Sequence, residues 1–133
     1  MKFLKITVLL LFIVNIGCAQ DSQTKEELEN QIIGSWHLEN SPEAIWTFSE
    51  DGTVKRFNGD ELISSSKYEI TKNCDGENLS NKNFFLREMG ENGNISCAYI
   101  EAINYDNNGF FSLMTLNQGK IVVFKKVQKK SMK

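Results

Sequence analysis

Few side chains in this 133-residue sequence could do chemistry. His37 is the only histidine, and strand alternation sets it opposite Trp36, towards solvent. The acids Glu43, Glu50, Asp51, Asp60 and Glu61 stand in or beside turn signals, where carboxylates cap and solvate chain reversals. No Ser/His/Asp order, matched carboxylate pair or histidine-rich ligand set rises above that background. The residues therefore point to no enzyme and no cofactor. What remains is an aromatic, apolar and cationic set: Trp36, Trp46, Phe48, Val54, Arg56 and Tyr68. If Glu50-Asp51-Gly52 form a three-residue hairpin loop, Ser49 faces Thr53, Phe48 faces Val54 and Trp46 faces Arg56. Arg56 then shares a side with the aromatics, where a cation could pair with the carboxylate of an amphipathic ligand. Alternatively it sits at the border of that surface and reaches water, or a one-residue slip of register puts it outside.

The second group with chemical potential is the cysteines. Met1 to Lys5 is a basic start, and Ile6 to Ile16 is apolar but for Thr7 and Asn15. That run is too short to span a bilayer comfortably, and small residues follow it, as in a secretory signal peptide over residues 1–17. Cys18 after Gly17 resembles a bacterial lipobox, with Asn15 where a leucine is usual. Its lipidation would make an outer-membrane lipoprotein, stably held only by more than one acyl chain. A cut after Ala19 would instead leave a secreted or periplasmic soluble protein. Cys74 and Cys97 would then meet an oxidising compartment, where a disulfide is the default. The other reading, a metal site, has two sulfurs, one histidine and no Cys-x-x-Cys spacing, a poor set for zinc.

Losing Lys2 and Lys5 with the leader leaves 13 basic residues against 17 acidic ones, a net charge of −4. That balance argues against nucleic acid as a partner. The late lysines 125, 126, 129, 130 and 133 read as a solvated strand end and tail.

The elements that must position these residues are short. Thr24-Lys25-Glu26-Glu27 fits a capping box, and Leu28, Ile32 and Ile33 share one helical face after it. Beyond Gly34, segments rich in aromatic and β-branched types alternate with turn signals, among them Asn40-Ser41-Pro42, Asn58-Gly59-Asp60 and Asn107-Asn108-Gly109. Eight strands are expected near 34–39, 43–49, 53–58, 62–71, 83–89, 94–104, 109–116 and 120–127. Connections this short join antiparallel neighbours. A sandwich would keep open edges and a closed barrel would remove them. Of the paired aromatics Phe84-Phe85 and Phe110-Phe111, one of each pair must face out, and two side by side would make a partner patch.

Gly34-Ser35-Trp36 at the head of the first of eight strands, after a short helix, resembles the Gly-x-Trp signature of the lipocalins. More closely, the chain is similar to the lipocalin-like domains of short Bacteroidetes-type lipoproteins. The matching stretches are Ile33-Gly34-Ser35-Trp36, Trp46 to Thr53, Tyr68-Glu69-Ile70, Cys74, Cys97 with Ile100, and Phe124-Lys125-Lys126-Val127. The resemblance implies an eight-stranded up-and-down barrel over 31–128, after a tether and short helix over 18–30 and before a basic tail over 129–133. It implies Trp36 at the barrel floor and a basic residue, Lys125 or Lys126, over the indole. Trp46, Phe48, Val54 and Tyr68 would line a cup for a small apolar or amphipathic ligand, in a monomer. An eight-stranded barrel can equally be filled by its own side chains. The alternative is thus a solid barrel acting as a protein-interaction or inhibitor module at the cell envelope.

Overall fold

The computed structural model describes residues 22–78 and 83–128. The expected signal peptide, Cys18 and the basic tail lie outside them. Helix α1 (Lys25–Ile32) opens with the expected capping box: Thr24 Oγ1 accepts from the Glu27 amide, and Glu27 accepts from the Thr24 amide. The helix runs two residues past position 30. Its apolar face, Leu28 and Ile32, is buried.

The strands are β1 (Gly34–Leu38), β2 (Ser41–Phe48), β3 (Thr53–Asn58), β4 (Glu61–Thr71), β5 (Asn73–Cys74), β6 (Glu77–Asn78), β7 (Phe84–Met89), β8 (Ile95–Ile103), β9 (Phe110–Thr115) and β10 (Ile121–Lys126). All but β5 and β6 close into one antiparallel barrel. Each barrel strand pairs with its neighbours along the chain, and β1 closes the ring on β10. The barrel itself has no open edge, which sets the sandwich aside. Pro42 corrects one expectation: it lies inside β2, not in the preceding turn. Proline is tolerated there because it sits at the exposed start of the strand, beside the register shift after His37.

Register fixes which residues enter the lumen. Trp36 stands opposite Trp46 and Lys126; Phe48 opposes Val54, and Trp46 opposes Arg56. The three-residue loop over Glu50-Asp51-Gly52 thus sets the β2–β3 pairing, with the Gly52 amide donating to Ser49 O at 3.1 Å. Two-residue alternation carries the same side round the ring: Ile70 meets Leu86, and Phe111 meets Phe124. These inward residues, with Ile100, Ile103 and Leu113, form the buried core, and Leu28 and Ile32 of α1 stop one end of it.

Gly34 makes that stop possible. Its φ of +121° lets the chain swing from the helix straight into β1, a conformation that side chains rarely adopt. Polar side chains fasten the helix end as well: Gln23 exchanges two hydrogen bonds with the Ile103 backbone, at 2.7 and 2.9 Å, and Asn104 Nδ2 donates to Gln31 Oε1 at 2.6 Å.

Between β4 and β7 the chain leaves the barrel and returns through the small β5–β6 hairpin. Cys74 in β5 is bonded to Cys97 in β8, with Cα atoms 6.1 Å apart. Phe85 points outwards, yet is only 2% exposed. This corrects the expected aromatic patch: of the two outward phenylalanines only Phe110 is exposed, and β7 and β9 are not neighbours. Replacing both Cys74 and Cys97 by serine is expected to lower stability by about 3 kcal/mol, through the loop entropy returned to the unfolded chain. Thermal melts of oxidised protein and double variant check it. The barrel should survive, since none of its pairings depends on the bond.

Candidate functional site

The lumen has two unlike halves. At the helix end it is packed with rings. Trp36 meets Phe111 edge-on at 5.6 Å, Phe111 stacks on Phe124 at 5.2 Å, and Phe48 meets Phe111 at 5.9 Å and Tyr68 at 5.0 Å. Trp36, Phe48 and Val54 are at most 1% exposed. They fill space, as packing at interior density requires, and no ligand reaches them without displacing a ring. Lys126 holds its ammonium 5.5 Å from the Trp36 ring centre, so of the two lysines considered it is the one at the indole. Lys125 instead lies 5.8 Å from Phe110 on the outer face.

At the other end the inward residues include Leu38, Ala44, Trp46, Arg56, Ser64, Ser66, Glu88, Ala98, Thr115 and Val122. Of these only Glu88 is buried, and the rest are half-buried. Inward side chains that still meet solvent mean an open mouth. The barrel is therefore plugged at the helix end, and its inward residues reach solvent at the other.

Trp46, Arg56 and Glu88 meet in this mouth. The Arg56 guanidinium lies 3.9 Å from the Trp46 ring centre, and the ring also neighbours Phe124 at 4.7 Å and Phe48 at 6.3 Å. A guanidinium on an indole face gains from both the ring quadrupole and planar contact. Arg56 Nη2 also donates to Glu88 Oε2 at 2.5 Å, reaching over β4 to β7. Arg56 thus lies on the lumen side, as the hairpin register places it, and its charge is already matched by a carboxylate. Glu88 is the residue that sequence reasoning missed. Its other oxygen, Oε1, is buried and has no hydrogen-bond partner among the described residues.

Tyr68 is the register partner of Glu88 and lies against Phe48, towards the helix end. Its hydroxyl donates to Ser49 O at 2.9 Å. It borders a polar cleft of about 650 Å³ between α1 and β4, shared with Lys25, Glu29, Glu50 and Glu69. Burial, then the charges of Asp51 and Glu29, push its pKa above the usual 10.0. The folded state therefore holds the phenol proton more tightly than the unfolded chain does. The resulting stability is complete below pH 10 and is lost as pH climbs through the raised folded value. Tyr68→Phe is expected to cost about 1 kcal/mol at neutral pH, from the lost hydrogen bond. It should also remove this tyrosine's share of the alkaline decline, which urea melts at neutral and alkaline pH would separate.

His37 is half-buried on the outer face, with Nδ1 3.0 Å from Leu38 O. No group of three or more His, Cys, Asp or Glu side chains suited to a metal ion occurs among the described residues. No protein-family model matches the sequence, and neither the curated proteins nor the solved structures give a match to it.

Proposed function

We propose that this protein is a non-enzymatic, lipocalin-like binding protein, lipid-anchored through Cys18 at the cell envelope, that takes a small apolar or amphipathic molecule into the open end of its barrel. One observation carries the reading. Inward-facing Trp46, Ala98 and Val122 are half-buried in the mouth, above a floor of fully buried rings. A ligand seated there would bury apolar surface on Trp46 and Val122, while Ser64, Ser66 and Thr115 offer hydroxyls to fix its orientation. The packed floor limits the site to a small guest or to one end of a longer one.

Native mass spectrometry of the exported protein, offered a total extract of cell lipids and small metabolites, tests the proposal. The expected result is one small adduct per chain, lost on unfolding. A clean apo mass after that exposure would overturn the reading.

A second reading, a solid barrel acting on another protein, is favoured by a different feature. Leu62, Ile63, Met89, Ile95, Leu116 and Ile121 are all exposed at the open end, on the borders of the mouth. Apolar side chains grouped at one end of a barrel are what a protein contact would cover. Adduct formation that survives replacing Leu62, Ile63 and Ile121 by serine assigns the small-molecule site to the lumen rather than to this rim.

A further inference from the structure

Resting on the cup reading above, we propose that the ligand's polar end is an uncharged hydrogen-bond donor, a hydroxyl or amide N–H, received by Glu88 Oε1. The geometry argues against the carboxylate head group that Arg56 alone would suggest. Arg56 spends its charge on Glu88 Oε2 and its flat face on Trp46. Among the described residues on the lumen side, the other cations are Lys126, at the opposite end over Trp36, and Lys120, exposed at the rim opposite Thr115. An anionic head group entering the mouth would find a neutralised pair and would set its own charge beside that of Glu88.

The unmet need in the mouth is the reverse of a carboxylate's. Glu88 is 9% exposed and its Oε1 is a buried acceptor with no donor. Buried polar atoms are nearly always paired, so an orphan acceptor inside a lumen that opens to solvent marks a place built to receive a donor. The pair Arg56–Glu88 already sums to zero charge. A neutral donor keeps that sum, whereas an ammonium would leave a net positive charge in a half-dry site. Oε1 is out of reach of solvent, so the incoming donor displaces a side chain. Arg56 has the freedom to yield: its side chain is 23% exposed, and it can slide along the Trp46 ring while keeping Oε2.

The test uses the full chain and three probes that share one tail: octanol, octanoate and octylamine, each titrated at neutral pH against tryptophan fluorescence and by calorimetry. The expected result is octanol at least about tenfold tighter than either charged probe. The variant R56M/E88L, which replaces the pair by apolar side chains of similar volume, is expected to bind octanol at least about tenfold more weakly than the parent chain does, because the acceptor is gone. Octanoate or octylamine binding as tightly as octanol, or tighter, overturns this proposal and leaves the cup reading standing. Octanol binding undiminished in R56M/E88L also overturns it, because the acceptor would then lie elsewhere. Binding of none of the three overturns the cup and this proposal together.

Discussion

Trp36→Ala is expected to remove about 3–5 kcal/mol and to leave much of the chain unfolded under mild conditions. The indole is wholly buried and touches both things that close the barrel floor. Its ring edge meets Phe111, and its Nε1 donates to Ile32 O at 2.8 Å, the last helical residue before the swing into β1. Alanine there loses the buried area and leaves a void that neighbouring β-strands cannot close, since the ring of pairings fixes their spacing. It also strands a carbonyl whose donor is gone. The helix loses its seat at the same stroke, because Leu28 and Ile32 pack into the same cluster. Trp36→Phe keeps most of the volume but not the N–H, and should cost about half as much. Urea denaturation of the three proteins measures the series. A Trp36→Ala loss under about 1 kcal/mol would mean that the floor is not the point on which helix and barrel depend.

The glycine before that tryptophan is also the reason so much of the fold is readable from sequence. Gly34, the Glu50-Asp51-Gly52 loop and the short polar turns are local devices, and each acts on residues a few positions away. They fix strand limits within two residues, and the second hairpin fixes a register that places Arg56 beside Trp46 in the lumen. Glu88 was legible only in part. It alternates with Phe84 and Leu86, which sets an acid in line with two large apolar side chains. Yet Phe85 beside Phe84 allowed either face of that strand to be the inner one. The choice depends on β5, which lies against β7 outside the barrel, and on Arg56, 32 residues earlier and two strands away. Neither leaves a local trace. The half-filled lumen is a sum of ring volumes over eight strands, which no single segment reports.

The ion pair across the mouth yields the second large effect, and its sign pattern is diagnostic. Arg56→Met should cost about 3 kcal/mol or more, since it leaves the Glu88 carboxylate buried with neither oxygen paired. Glu88→Leu should cost less. Arg56 would then lose a partner but keep the Trp46 face, and its side chain, 23% exposed against 11% for Glu88, can turn to water. The double variant, by contrast, is expected within about 1 kcal/mol of the parent, because two apolar side chains of similar volume avoid the desolvation that the pair incurs. The resulting non-additivity, larger than either neighbour contact could give, measures the coupling. Raising salt should change it little, since Debye screening acts weakly on a pair this far out of water. The exposed Glu69–Arg87 pair at 3.3 Å, with Glu69 58% exposed, gives the contrast: its loss should cost under about 1 kcal/mol and be screened away. If Arg56→Met and the double variant were equally unstable, the cost would lie in lost packing on Trp46. Glu88 would then be a bystander, and the orphan oxygen would carry no demand for a partner.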